Sequence, residues 1–73
     1  MINHVKSYRV ELGITQQELG DLLKVSRQTI FSIETGKYVP STILSLKISK
    51  IFNKPVEKIF VLEKNDQHEV CFY

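Results

Sequence analysis

Two helix-start signals, eleven residues apart, are the strongest constraint on how this chain folds. Thr15 and Glu18 have the spacing of a capping box, in which each side chain accepts a backbone N–H of the other residue. Ser26 is a second N-cap residue, so helices are predicted over about 16–23 and 27–34. Two helices of about eight residues joined by so short a turn cross steeply, as in a helix-turn-helix unit.

Gly20 falls in the middle of the first of these helices, where glycine costs about 0.5 to 1 kcal/mol relative to alanine. We interpret it as the point where the two helix backbones approach each other, because a side chain there would separate them. Val25 and Ile30 are expected to fill the angle between the helices. The alternative is a helix glycine without a packing role.

A further helix is predicted before this pair. It runs from Asn3 to Leu12 and ends at Gly13. Its apolar residues Val5, Tyr8 and Leu12 have the spacing of one helix face. We therefore expect all three side chains to point inward.

Two more helices are predicted between Ser41 and Phe60. Ser41 caps a helix that is apolar on more than one face, which indicates a contact beyond the domain's own core. Pro55 is placed in the first turn of a short last helix, with Ile59 and Phe60 facing inward. The apolar residues of the longer helix are Ile43, Leu44, Leu46, Ile48, Ile51 and Phe52.

The pattern changes after residue 60, so we divide the chain into a helical domain, 1–60, and a β-prone extension, 61–73. The extension contains the apolar runs 61–62 and 70–73 on either side of a polar turn. Three alternatives remain open: a hairpin, a strand pair with the N-terminal residues, or a frayed tail. The predicted fold class is all-α, with a small C-terminal β element under the first two alternatives.

The size and cysteine content limit how the domain is stabilised. A chain of 73 residues forms one domain, and below roughly 70 to 80 residues a single core supplies only about 3 to 5 kcal/mol. Cys71 is the only cysteine, which excludes an internal disulfide. His4 and His68 lie at opposite ends, so no metal site is expected. Self-association is the remaining means of stabilisation.

Several classes of function find no support. The chain starts without a signal-peptide pattern and has no apolar run approaching roughly 18 residues, so we expect a cytoplasmic protein with no membrane partner. The carboxylates lie on separate faces or act as caps, and no glycine-rich phosphate loop occurs. We therefore expect no catalysis and no cofactor, and no small-molecule ligand is evident.

The helix predicted after Ser26 exposes side chains suited to reading DNA bases. Arginine matches the two acceptors of guanine, and glutamine matches the donor and acceptor edge of adenine. Phe31 is interpreted either as a contact to a thymine methyl or as an exposed contact for a protein partner. The exposed row consists of Arg27, Gln28, Phe31 and Ser32.

Phosphate contacts are predicted on both sides of this helix. A helix N-terminus offers free N–H groups to anions, and the Gln16 side-chain amide is expected to point outward there. Residues 1–60 hold nine Lys/Arg against five Asp/Glu, an excess compatible with DNA, whereas 61–73 hold one against three. The other phosphate candidates are Thr29, Lys37 and Tyr38.

Three stretches with fixed spacing resemble the Cro/cI-type (XRE) helix-turn-helix family over about residues 3–60. Within it the chain is similar to short stand-alone regulators of the cytolysin-repressor type, which end in Pro-x-x-x-Ile-Phe before a small β element. Lys24 departs from the pattern, because family members often carry glycine at this turn position, where φ tends to be positive. The stretches are Leu12-Gly13-Ile14-Thr15-Gln16-Gln17-Glu18-Leu19, Val25-Ser26-Arg27-Gln28-Thr29-Ile30 and Ile33-Glu34-Thr35-Gly36-Lys37.

The resemblance implies a five-helix lambda-repressor-like domain that dimerises on a palindromic operator. It implies DNA contacts from Gln16, Arg27, Gln28 and Ser32. It also implies an ion pair between Arg9 and Glu34. With the residues chosen from the pattern, the full set of candidate DNA-binding residues is Gln16, Gln17, Ser26, Arg27, Gln28, Thr29, Phe31, Ser32, Lys37 and Tyr38.

These features predict a sequence-specific transcriptional regulator, with repression as the favoured role, that binds double-stranded DNA as a homodimer. We place the dimer interface on the second apolar face of the fourth helix, on Ile59 and Phe60, and on the extension. Two alternatives keep the fold: an antitoxin or restriction-modification controller, which also binds an operator, and a protein-interaction module, which does not. The module should tolerate alanine at Arg27 and Gln28.

Overall fold

The computed structural model describes residues 1–63, which form five helices and one two-stranded sheet. No helix in this part of the chain has the length and apolarity needed to cross a membrane. In chain order the elements are β1 Ile2–Asn3, α1 Val5–Leu12, α2 Gln16–Leu23, α3 Arg27–Glu34, α4 Thr42–Phe52, α5 Val56–Ile59 and β2 Phe60–Val61.

The predicted caps set the ends of α2 and α3. Thr15 Oγ1 accepts the backbone N–H of Glu18 at 3.0 Å, and Glu18 Oε1 accepts the N–H of Thr15 at 2.8 Å, which completes the capping box. Ser26 Oγ accepts the N–H of Thr29 at 3.1 Å at the start of α3. Ser41 caps α4 in the same way. Local side-chain chemistry therefore determines where three of the helices begin.

One core cluster lies between the helices, and its members come from α1 to α5. Leu19 and Ile33 are fully buried and belong to the two helices that cross. Ile59 is also fully buried, so α5 contributes to the same core. The cluster consists of Val5, Leu19, Leu23, Ile30, Ile33, Leu44, Ile48, Phe52 and Ile59.

The prediction for α1 was wrong in two details. The helix begins at Val5 and not at Asn3, because Asn3 belongs to β1 and pairs with Phe60. Leu12, predicted to face inward, is half exposed. Gly13 adopts the left-handed conformation with φ of 74° directly after it, and Ile14 beyond this turn packs against the core instead.

The end of the described chain pairs with its beginning. β1 and β2 are antiparallel, with Ile2 opposite Val61, and the backbone N–H of His4 donates to the carbonyl of Ile59 at 2.8 Å. Of the three alternatives for the first β-prone run, the strand pair with the N-terminal residues is thus confirmed. The second run, 70–73, lies outside the described residues. Pro55 is the N-cap of α5, one position before its predicted place in the first turn.

Gly20 has the packing role inferred for it. A Cβ built on this residue would lie 2.7 Å from the carbonyl oxygen of Val25, a backbone atom in the turn that leads into α3. Carbon and oxygen atoms in ordinary contact are separated by well over 3 Å, so no other residue fits without moving the turn. Gly20 therefore permits the steep crossing of α2 and α3.

Lys24, the residue that departs from the family pattern, has φ of 60° and ψ of 42°. This left-handed conformation costs a residue with a Cβ about 1 to 2 kcal/mol.

We expect Lys24→Gly to raise the free energy of unfolding by roughly 0.5 kcal/mol, since glycine's greater freedom in the unfolded chain offsets part of the relief of strain. Urea denaturation measures the change. Lys24→Ala, which keeps the Cβ, is the control and should bring no gain; equal effects of the two variants would contradict the strain argument.

Candidate nucleic-acid interface

Helix α3 has one buried face and one exposed face. Ile30 and Ile33 have no exposed surface, whereas Arg27, Gln28 and Phe31 are exposed. Successive residues of an α-helix are about 100° apart, so Gln28 and Phe31 lie near the middle of the exposed face. The structure thus brings together three of the four side chains of the predicted row on one surface. The fourth, Ser32, is half-buried.

An ion pair between α1 and the end of α3 fixes the position of α3. Arg9 Nε lies 2.7 Å from Glu34 Oε2, with only 11% of the arginine and 3% of the glutamate side chain exposed. Arg9 Nη1 also donates to the carbonyl of Ile14 at 2.8 Å, so the guanidinium holds the chain between α1 and α2 as well. This is the pair that the family resemblance implies. It joins three segments that the sequence separates.

The prediction that the Gln16 side-chain amide points outward was wrong. Its Nε2 donates to Glu34 Oε1 at 3.0 Å, and the residue is half-buried. Its Oε1 accepts a long hydrogen bond of 3.5 Å from Arg27 Nη1. A row of hydrogen bonds therefore runs from the buried Glu34 through Gln16 to Arg27, along one edge of the exposed face of α3.

A groove lies along each edge of α3. The first contains Gln16, Gln17 and Arg27, together with residues at the end of α1. The second, with a volume of about 380 Å³, lies between α3 and the start of α4. It is lined by Val25, Gln28, Thr29, Ser32, Tyr38 and Leu44.

The predicted phosphate contacts divide between these two edges. Tyr38 joins the second groove, and the backbone N–H groups of both Lys37 and Tyr38 donate to the carbonyl of Ser32, which holds the loop against α3. Lys37 is exposed in that loop. The hydroxyls of Ser26 and Thr29 bond each other at 2.9 Å at the start of α3, and Ser26 Oγ is also the N-cap acceptor of this helix. Gln17 is exposed at the first edge and donates to Asp21 at 3.0 Å.

Asn3 is a structural contributor that the sequence did not reveal. Its Nδ2 donates to the carbonyl of Ile33 at 2.9 Å, across thirty positions of the chain. The Ile33 carbonyl, near the C-terminal end of α3, also accepts the backbone N–H of Gly36 at 3.0 Å, so the Asn3 bond adds a tie between the N-terminal strand and this end of the helix. No local pattern marks such a residue, because its role depends on the tertiary fold.

A second exposed surface lies on α4 and on the loop that precedes it. Val39, Ile43 and Leu46 are 63%, 69% and 54% exposed, which agrees with the surplus apolar face predicted for this helix. Ile59 was assigned to the same dimer surface, but that assignment was wrong because its side chain is fully buried in the monomer core. Phe60 is half-buried and packs against the core.

Comparisons with known proteins agree with this geometry. A family profile described as helix-turn-helix matches residues 5–59. The chain is 46% identical over 66 residues to an uncharacterized HTH-type transcriptional regulator of Bacillus subtilis, covering 90% of this chain and all of the relative. It is 47% identical over 66 residues to one of Methanocaldococcus jannaschii, with the same coverage. A competence pilus inhibition repressor of Acinetobacter baylyi is 34% identical over 65 residues, which are 89% of this chain and 59% of that protein.

Proposed function

The chain belongs to the helix-turn-helix family of DNA-binding transcriptional regulators, and we propose that it acts in the cytoplasm as a homodimeric repressor on a palindromic operator. The observation that carries this proposal is the exposed face of α3, where Arg27, Gln28 and Phe31 are accessible while Ile30 and Ile33 anchor the opposite face. An α-helix fits the major groove, where each base pair has its own donor and acceptor pattern.

The two edges of α3 suggest how the DNA contacts are divided. We assign base contacts to the exposed row, each good bidentate pair contributing about 1 to 3 kcal/mol of discrimination. Backbone N–H groups, hydroxyls and Lys37 at the edges are suited to phosphates, which fix the register without reading sequence. The assigned base contacts are Arg27, Gln28, Phe31 and Ser32. The assigned phosphate contacts are the backbone N–H of Gln16 at the start of α2, together with Gln17, Ser26, Thr29, Lys37 and Tyr38.

The proposed dimer follows from the size of the reading surface. One helix contacts few base pairs, whereas two copies related by a two-fold axis read half-sites about 34 Å apart, one helical turn of DNA. Val39, Ile43 and Leu46 form an apolar surface on a small domain that has few other means of stabilisation. We therefore assign residues 1–60 to DNA binding and propose that the α4 surface and the extension, 61–73, take part in the contact between copies.

Two considerations support repression: a protein bound to an operator competes with other proteins for that DNA, and one relative is named as a repressor. A protein bound across a promoter excludes other proteins from the same DNA. The Acinetobacter baylyi relative is named as a repressor. We therefore propose repression as the role of this chain.

Leu46→Glu tests the dimer surface. Covering a fully exposed leucine is worth about 1.5 to 3 kcal/mol, and Leu46 is 54% exposed, so the two copies together lose about that amount. We therefore expect the dissociation constant of the dimer to rise by about ten- to a hundredfold. Sedimentation velocity over a range of concentrations measures it. Leu22→Glu is the matched control, because Leu22 is similarly exposed, at 60%, but lies on α2. Identical sedimentation of Leu46→Glu and the wild type would rule out this interface.

Selection of bound sites from random duplexes tests the proposed function as a whole. We expect a symmetric consensus, and we expect Arg27→Ala and Gln28→Ala to bind the selected site more weakly. Repeating the selection at two salt concentrations separates base recognition from phosphate attraction, which weakens steeply with salt. Retention of every duplex with equal affinity would contradict the proposal.

A further inference from the structure

Phe31 is the one large apolar side chain on the exposed face of α3, and it is 42% exposed. Its neighbours on that face are polar: Arg27, Gln28 and the half-buried Ser32. A contact surface for a folded partner usually consists of a contiguous apolar patch. Phe31 instead stands alone among polar side chains. It therefore suits a binding partner that presents one small apolar group within a polar surface.

The major groove of DNA contains such a target in the C5 methyl group of thymine. It is the apolar feature of a base edge that is otherwise made of hydrogen-bond donors and acceptors. Apolar side chains recognise it by contact, without the fixed geometry that a hydrogen bond demands. Phenylalanine has no polar group that such a contact would leave without a partner.

Gln28 and Phe31 are three positions apart and lie on the same side of α3. They are separated by about 4.5 Å along the helix axis, similar to the spacing of about 3.4 Å between stacked base pairs. Within residues 1–63 the Gln28 side chain has no hydrogen-bond partner, so its amide is available to a base. Arg27 lies to the side and is bonded to Gln16 at 3.5 Å.

We propose that Phe31 is a specificity-determining residue that contacts the methyl group of a thymine one base pair away from the adenine read by Gln28. The middle of each half-site is then an A·T-containing step recognised by these two side chains. Arg27 contributes from the edge of the same surface. The inference rests on the proposed function and adds to it the identity of two bases.

Single replacement of each thymine in a selected half-site by deoxyuridine tests the contact, because it removes the methyl and leaves pairing intact. Burial of one methyl-sized group corresponds to about a fourfold change in affinity. We expect wild-type protein to bind one such duplex about fourfold more weakly, measured by fluorescence anisotropy. We expect Phe31→Ala to bind the thymine and deoxyuridine duplexes equally.

Two controls separate this contact from other roles of Phe31. Gln28→Ala retains the phenylalanine, so it should bind the site more weakly yet keep the fourfold preference for thymine. Phe31→Leu retains an apolar side chain and should keep part of that preference. Thermal unfolding of each variant shows that it is folded, which the exposure of both residues favours.

The outcomes are distinct. A wild type that is insensitive to deoxyuridine at every position overturns the inference while leaving the proposed function intact. A Phe31→Ala variant that keeps the preference for thymine also overturns the inference. A Phe31→Ala variant that changes only the dimer equilibrium overturns it as well, because Phe31 would then be a protein contact. Failure to select any site overturns the proposed function and this inference together.

Discussion

Arg9→Met is expected to lower the free energy of unfolding by about 3 to 5 kcal/mol, the largest effect of any single change proposed for this protein. The substitution leaves the Glu34 carboxylate, 3% exposed, buried without its cation. Gln16 still donates one hydrogen bond to that carboxylate, which is too little to replace a charge. A small domain has about this much stability in total, so the variant should be largely unfolded at 25 °C.

Urea denaturation followed by circular dichroism measures this loss. Lys6→Met is the matched control, because Lys6 is exposed on the same helix and should change stability little. The double variant Arg9→Met, Glu34→Leu removes both charges and should recover most of the lost stability, since apolar replacements of a buried pair are often neutral. A free energy of unfolding for Arg9→Met within about 1 kcal/mol of the wild-type value would show that the ion pair does not stabilise the fold in this way.

Gly20→Ala is expected to destabilise the protein by about 2 kcal/mol, although alanine is the better helix former. Helix propensity favours the substitution by about 1 kcal/mol. The new Cβ, however, would lie 2.7 Å from a backbone oxygen of the turn, which cannot move without changing the angle between α2 and α3. Affinity for the selected operator should therefore fall together with stability.

Gly13→Ala is the comparison for this second prediction. Gly13 has φ of 74°, and no atom beyond its chain neighbours would lie within 4 Å of an added Cβ, so its substitution introduces backbone strain without a clash. We expect Gly13→Ala to lower the melting temperature while leaving the operator affinity of the folded protein unchanged. An unchanged or raised melting temperature for Gly20→Ala would show that the turn accommodates a methyl group and that the crossing does not require glycine.

The helix-turn-helix unit could be predicted from the sequence because local chemistry determines it. Thr15, Glu18 and Ser26 bond backbone groups within three residues, so their roles are visible in a short stretch of sequence. Gly20 was also informative, because an unfavourable residue in a capped helix requires a tertiary reason. The ends of α2 and α3 agree with the prediction for the same reason.

Other features depend on partners far along the chain and were mispredicted or missed. Asn3 could extend α1 by its spacing, yet pairing with Phe60 places it in a strand. Leu12 fits the apolar face of α1, but the turn at Gly13 gives the inward position to Ile14. The spacing of apolar residues identifies the apolar face of a helix. It does not show which residues at the ends of that helix the rest of the fold buries.

The candidate site shows the same division. The exposed face of α3 could be predicted because Ile30 and Ile33 are recognisable as inward residues and the helix period then fixes which residues face outward. These exposed residues are Arg27, Gln28 and Phe31. The orientation of Gln16 does not follow, because its partner Glu34 is eighteen positions away and is itself held by Arg9. Sequence reasoning therefore found the surface of the site but not the hydrogen bonds that orient its edge.

We propose that α3 reads base edges in the major groove. Duplexes of the selected site in which single adenines or guanines are replaced by their 7-deaza analogues test it most directly, because each loses one major-groove acceptor and nothing else. We expect the wild type to bind some of these duplexes about two- to tenfold more weakly, because each substitution removes one of the two hydrogen bonds of a bidentate contact, while 3-deazaadenine, altered in the minor groove, has no effect. Sensitivity confined to the minor-groove analogue would contradict it.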